Sequence, residues 1–310
     1  MLEIPTKGFK RSTNKSNVKP GYLADWLEAN ILFVASDVAK SDVVDLLIEY
    51  QICPDDQQDL AHQIAVDGWD ELDRRQRWGG LPSSVSIGSA RIEAHDSWQS
   101  TPLWSFFVLL STLRIFPDWA KTHQAYAVQG DLFERVVETI CPAMLPGWTS
   151  YRTGWSPDNT KDIRAIVREL CTRLFVGGGN LDRWLSPDDK DGGLDIVCYR
   201  EFADEREALP TFFLQCASGK NWRDKVQTPN LDLWQKYLDP AVQPSTGIVA
   251  PFVIDEWELR RAAVVGQVVV FDRLRMLSSA EEAGITLPED LLAELLAWMQ
   301  PRVTDLPRAA

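Results

Sequence analysis

From residue 21 to about 76, apolar residues recur at helical spacing: Leu23, Trp26, Leu27 and Ile31, then Val43, Val44, Leu46 and Leu47, then Leu60, Ile64, Ala65, Trp69 and Leu72. Breaks at Ser41, at Cys53-Pro54 and at Gly79-Gly80 divide this region into separate helices. Residues 84 to 94 alternate instead (Val85, Ile87, Ala90, Ile92), which predicts a short strand or hairpin. Residues 102 to 116 and 131 to 141 return to the helical period.

The second half changes character. A helix over 162 to 175 runs into Gly177-Gly178-Gly179, whose glycines suit a C-cap and a turn. Two strand-like runs follow, residues 194 to 200 (LDIVCYR) and 211 to 217 (TFFLQCA), with a polar connection between them. Beyond them the pattern predicts a helix over 231 to 238, strands over 247 to 254 and 265 to 271, and a closing helix over 288 to 299. The expected fold class is α/β (α+β), a mixed sheet flanked by helices. The organisation it implies is a flexible basic arm (1–20), a helical N-terminal domain (21–125) and a sheet-bearing domain (126–310).

Composition narrows the function classes. At 310 residues with 45% apolar content the chain can bury a real core. Five scattered cysteines without CxxC spacing, and three histidines, exclude a disulfide scaffold and a Cys/His zinc cluster. Residues 1–22 have no apolar h-region, and the most hydrophobic stretch, 103 to 116, is broken by Ser105, Ser111, Thr112 and Arg114, so neither a signal peptide nor a membrane span is expected. A reducing, cytoplasmic setting fits. The net charge of −13 disfavours a polyanion as partner, but it is uneven: +4 over residues 1–20, −11 over 21–150 and −6 over 151–310. A nucleic-acid surface must then be local, or be assisted by a divalent metal held on carboxylates. The thirteen tryptophans read first as core and helix packing, and second as stacking platforms.

Candidate chemistry lies in the two adjacent strand runs. Laid against each other as a hairpin they put Arg200 near Thr211 and Asp195 opposite Gln215 or Cys216. Opposed residues have Cβ atoms about 5 Å apart, close enough for two oxygen-bearing side chains to share one hard cation. The backbone carbonyl of Cys216 offers a third oxygen, and the Ser218-Gly219-Lys220-Asn221-Trp222 turn could swing the Lys220 ammonium over the same spot.

The run Gly192-Gly193-Leu194-Asp195-Ile196-Val197, followed by Phe213-Leu214-Gln215-Cys216 and Lys220, resembles the PD-(D/E)xK, or restriction-endonuclease-like, nuclease superfamily. In that superfamily an Asp opens one strand, an acidic residue or Gln sits on the next, and a Lys follows. Gln in place of Glu is similar to the branch that includes methyl-directed restriction enzymes. The helix Gly130-Asp131-Leu132-Phe133-Glu134-Arg135-Val136-Val137 looks like the family's Glu-bearing helix. The resemblance covers residues 129 to 222, with some support to about 275. It implies a restriction-endonuclease-like domain over 126–310 that binds Mg2+ (or Mn2+) through Asp195, Gln215, the Cys216 carbonyl and Glu134, with Lys220 beside the attacking water. It further implies hydrolysis of phosphodiester bonds, in DNA more than RNA, within a bacterial anti-phage defence or restriction system. The acidic helical half would then dock a partner protein of the same system.

The chain departs from the family where a Lys is expected two positions after the acidic residue: Ala217 stands there. That departure opens the alternative of an inactive nuclease-fold subunit that binds nucleic acid or a partner. Each residue also has a plainer reading. Asp195 suits the start of a strand after a Gly-rich turn, Gln215 a satisfied buried amide, Glu134 a D-x-x-E capping box with Asp131, and Lys220 a solvated turn. Glu169 rivals Glu134 as the helical ligand, Lys225 is the reserve lysine, and Asp188 and Asp191 could stand behind the site. The Ser218-Gly219-Lys220 tripeptide is not a phosphate loop, because Asn221 stands where Ser or Thr is required. The segment from Pro187 to Gly193 lacks the register of a calcium loop. His62, His95 and His123 fall on separate elements with no nucleophile signature nearby.

Overall fold

The computed structural model describes residues 1–6, 9, 18–54, 56–154, 162–185 and 192–309. In chain order the elements are α1 (Pro20–Phe33), β1 (Asp37–Ala39), α2 (Lys40–Glu49), α3 (Gln58–Arg77), β2 (Val85–Ile87), β3 (Arg91–Ala94), α4 (Pro102–Ile115), α5 (Pro117–Thr122) and α6 (Tyr126–Met144). There follow β4 (Thr149–Arg152), α7 (Ile163–Leu174), β5 (Gly177–Gly178), α8 (Leu181–Trp184), β6 (Ile196–Tyr199), β7 (Thr211–Cys216), a 3-10 turn (Trp222–Lys225), α9 (Leu231–Tyr237) and β8 (Leu238–Asp239). The chain closes with β9 (Ser245–Val249), α10 (Glu256–Gly266), β10 (Val268–Phe271), α11 (Arg273–Glu282) and α12 (Glu289–Thr304).

The expected mixed α/β class is the observed one. A five-stranded sheet in the order β10-β9-β7-β6-β4 is antiparallel from β4 through β7 and parallel from β7 to β10. Alternation along β6 divides its side chains between two layers. Ile196 and Cys198 face the large core built with the N-terminal helices, and Val197 and Tyr199 face a second core with α7 and α9. A third cluster under α10 packs Ala217 and Trp222 against Ile248, Ala250 and Val270. Beside the main sheet, β1, β3 and β2 form a small antiparallel one, so the alternating run at 84 to 94 is the hairpin its pattern predicts.

Several local expectations are corrected. The break placed at Ser41 is filled by β1, and Ser41 lies inside the first turn of α2. The helix before the triple glycine ends on Phe175, which itself takes the left-handed conformation (φ 55°), while Gly177 and Gly178 pair with β8. Val265 belongs to α10, which together with α11 and α5 was hidden by weak periodicity. The first residues are not a free arm. Leu2 and Ile4 are buried, Leu2 N–H donates to Asn30 Oδ1 (2.7 Å), and Trp26 Nε1 donates to the carbonyl of Glu3 (2.9 Å). Met1 and Glu3 also hydrogen-bond to the backbone of Ala309 and Pro307, which ties the two ends of the chain together.

Helices α11 and α12 return to the N-terminal helical layer, where Met276, Leu291, Leu295 and Met299 join the same core as Leu23, Trp26 and Phe106. Within it lies a buried charge cluster. Arg75 binds Asp25 Oδ1 (2.9 Å), Glu28 Oε1 (2.5 Å) and Glu71 Oε1 (3.0 Å). Arg114 binds Asp25 Oδ2 (2.6 Å), Arg273 binds Glu28 Oε1 (2.8 Å), and Trp104 Nε1 donates to Glu28 Oε2 (3.0 Å). Arg273 opens α11, so the cluster joins elements more than 240 residues apart in the chain. Among the described residues, no helix is long and apolar enough to cross a membrane.

Candidate active site at the head of the β6–β7 hairpin

The chain enters β6 through Gly192 and Gly193, both at positive φ (60° and 70°). A side chain at 193 would collide with the Thr228 methyl group, 2.1 Å from the added carbon, so only glycine brings the backbone this close to Gln215. The pairing Ile196 with Leu214 continues outward to Asp195 opposite Gln215, the cross-strand relation expected from the alternation. The Asp195 backbone is held on both sides: its N–H donates to Leu214 O (3.0 Å), and its carbonyl accepts from Thr153 N (2.8 Å) and Gly154 N (3.0 Å).

Its carboxylate meets the neighbouring strand directly. Asp195 Oδ2 accepts the Cys216 backbone N–H (2.6 Å) and a short bond from Gln215 Nε2, which also donates to the Cys216 carbonyl (3.2 Å). Asp195 and Gln215 are 5% and 4% exposed, at the floor of a cavity of about 910 Å3.

Glu134 lines the same cavity. Helix α6 begins at Tyr126 after Ala125, so Asp131 lies in the second turn and the capping-box reading of Asp131 and Glu134 is corrected. The Asp131 carboxylate instead takes the Arg152 guanidinium (2.5 Å). Gly154 presses so closely on Glu134 that an added Cβ would lie 2.1 Å from Oε2. Glu169, the rival helical ligand, pairs with Arg173 on α7 (2.8 Å) and does not line the cavity. Asp188 and Asp191 lie outside the described residues.

Besides Lys121 on α5, which pairs with Asp118 (3.0 Å), two lysines line the cavity: Lys220, exposed on the turn after β7, and Lys225, half-buried at the end of the 3-10 turn. Among the described residues neither ammonium has an ion-pair partner. The Cys216 thiol records the local field. Burial, with the Asp195 and Glu134 carboxylates, pushes it well above its ordinary value, and the Lys225 ammonium opposes them. Cys216 therefore stays a neutral thiol, and its contribution to the site is its backbone. Sequence reasoning missed the cavity's far wall. Leu110, Leu113, Arg114, Pro117, Ala120 and Phe252 reach it from α4, α5 and the segment after β9. It also set His123 aside, which lines the cavity; burial and the Arg302 charge hold its imidazole below the usual range.

The donor set suits a hard divalent cation. Among the described residues, no three His, Cys, Asp or Glu side chains cluster as a metal site. Here instead two carboxylates combine with one amide and one backbone carbonyl. Gln215 Nε2 sits between two oxygens, Asp195 Oδ2 and Cys216 O. Turning that amide over places Oε1 with them and completes an all-oxygen set of the kind Mg2+ prefers. Comparison of the chain with family models, with curated proteins and with solved structures finds no match.

Proposed function

We propose that the protein is a metal-dependent nuclease of the PD-(D/E)xK type, hydrolysing phosphodiester bonds, DNA before RNA, in a bacterial anti-phage or restriction system. The observation that carries this reading is the Asp195 carboxylate set against Gln215 and the Cys216 backbone, in one cavity with Glu134 and two lysines free of ion pairs. Asp195, Gln215, the Cys216 carbonyl and Glu134 would hold Mg2+ or Mn2+. The bound ion would polarise the scissile phosphate and lower the pKa of a water. Lys225, half-buried and electrostatically in contact with the floor of the site, would orient the attacking water and offset charge developing on the phosphate. Lys220, at the rim, would then clamp a flanking phosphate.

One observation favours a second reading, an inactive nuclease-fold subunit that binds nucleic acid or a partner: Ala217, where the family's lysine is expected, is a core residue 1% exposed. Incubating purified protein with plasmid and single-stranded DNA, with Mg2+ or Mn2+ and then with chelator, separates the two. Metal-dependent cleavage that disappears in Asp195→Asn supports the nuclease. Binding without cleavage under every condition supports the subunit.

A further inference from the structure

The shape of the cavity limits what can reach Asp195. Asp195 and Gln215 on its floor are almost wholly buried, so a scissile phosphate must come inside to meet them. A volume of about 910 Å3 belongs to the class of pockets that hold one small ligand, roughly 300 to 1,000 Å3, and α4–α5, α6 and the 218–228 turn supply its walls.

On the α4–α5 wall Leu113, Pro117 and Ala120 line the cavity with Phe252, edged by Arg114 and Lys121. Arg114 lies over the Phe252 and Tyr22 rings (4.6 Å to each centroid), donates Nη2 to Asp25 Oδ2 (2.6 Å) and lines the cavity. An apolar patch edged by the donors of Arg114 and Lys121 suits a nucleobase, which has two faces to bury and carbonyl or ring-nitrogen acceptors on its edge. At the rim Tyr126 is 65% exposed, an aromatic face available to the next base along a strand.

We infer that the cavity admits one unpaired nucleotide at a time, its phosphate toward Asp195 and its base against the α4–α5 wall, so that the substrate is single-stranded DNA or a nucleotide extruded from a duplex. The inference rests on the nuclease reading above and narrows it. A paired nucleotide must first be unstacked to enter, whereas one in a single strand or at a mismatch has already lost most of that stabilisation.

The test uses full-length protein and labelled oligonucleotides of one sequence as single strand, blunt duplex, and duplex with one mismatched nucleotide. Cleavage is measured with Mg2+ or Mn2+, and binding by anisotropy to Asp195→Asn with Ca2+. The single strand and the mismatch should be cut and bound at least about tenfold better than the blunt duplex. Ala120→Trp, which covers the patch, should weaken single-strand binding by about tenfold or more without lowering the melting temperature. Tyr126→Ala should weaken it by about tenfold, the loss of one stacking platform. Equal cutting of blunt duplex and single strand overturns the inference and leaves the nuclease standing. Cleavage of nothing, with single-strand preference in binding intact and sensitive to Ala120→Trp, overturns the nuclease and leaves the pocket. Binding that does not distinguish the three substrates overturns the inference whether or not DNA is cut.

Discussion

Replacing Arg273 by Met keeps most of the side-chain stem and removes only the guanidinium from the buried cluster. Asp25, Glu28 and Arg75 are each 0% exposed, and Arg273 supplies Glu28 Oε1 (2.8 Å), Asp25 Oδ1 (3.3 Å) and a contact to Ser111 Oγ (3.4 Å). Without it Glu28 keeps Arg75, Asp25 keeps Arg75 and Arg114, and Glu71 stays shared between Arg74 (2.6 Å) and Arg75 (3.0 Å), so Asp25 and Glu28, both fully buried, each lose one charged hydrogen-bond donor. Breaking a buried pair by removing one partner costs about 3–5 kcal/mol. For a chain of this size that corresponds to a fall in melting temperature on the order of 10 °C. Calorimetry at pH 7 reads it, and a change below about 2 °C would refute the reasoning. The pH dependence is a second check. Burial pushes the Asp25 carboxyl up, but Arg75, Arg114 and Arg273 outweigh it and hold it below its ordinary value. In the parent protein this stabilisation is complete above the unfolded pKa near 3.9 and is lost as pH falls through the lower folded value. In Arg273→Met the weakened pull lets Asp25 take up its proton at higher pH than in the parent, so the deficit relative to the parent should shrink as pH falls from 7 toward the unfolded pKa near 3.9. A deficit that grows over that interval contradicts the assignment. Arg114 hangs on this cluster through Asp25 (2.6 Å), so affinity for substrate should fall together with stability.

Asp195→Asn retains an oxygen to accept the Cys216 N–H, so it should fold normally and lose at least about 10²-fold in cleavage; parental turnover in a plasmid assay would remove Asp195 from the site. Gly154→Ala drives a methyl group onto Glu134 Oε2 and should displace that carboxylate, lowering turnover about tenfold with little change in melting temperature. Repeating Gly154→Ala in a Glu134→Gln background should then add almost nothing, and additive losses would show that Gly154 acts some other way. Lys225→Ala should depress kcat more than KM, whereas Lys220→Ala should weaken binding and flatten its salt dependence. The reverse pattern would return Lys220 to the water.

What could be read from the sequence was whatever local periodicity decides. Alternation in LDIVCYR and TFFLQCA sets a register, the register sets Asp195 against Gln215, and no distant contact is needed to reach that pair. The helix bearing Glu134 was legible for the same reason, although its start was not, since α6 opens with no side-chain cap. Helix α10 could not be read because only Ala262 of its eleven residues is buried, which leaves no apolar stripe to detect. The far wall of the cavity and the charge cluster were beyond reach for a different reason. Arg114 and Phe252, like Asp25 and Arg273, are brought together across more than 130 residues of chain, and nothing in either neighbourhood announces the other.

The packing also accounts for the absent lysine at 217. Ala217 closes β7 with its N–H on Val249 O (2.8 Å) and its side chain among Trp222, Ile248 and Ala250. An ammonium there would give up its hydration for an apolar cluster, at a cost of several kcal/mol with no carboxylate to meet it. A cation can approach the Asp195 carboxylate only once the chain has left that cluster, and it does so in the eight residues that follow, where the turn and the 3-10 segment carry Lys220 and Lys225 back to the cavity. If the positive charge has moved along the chain in this way, Ala217→Lys should destabilise the fold and should not rescue Lys225→Ala. Rescue of cleavage in the double variant would mean that position 217 still addresses the site.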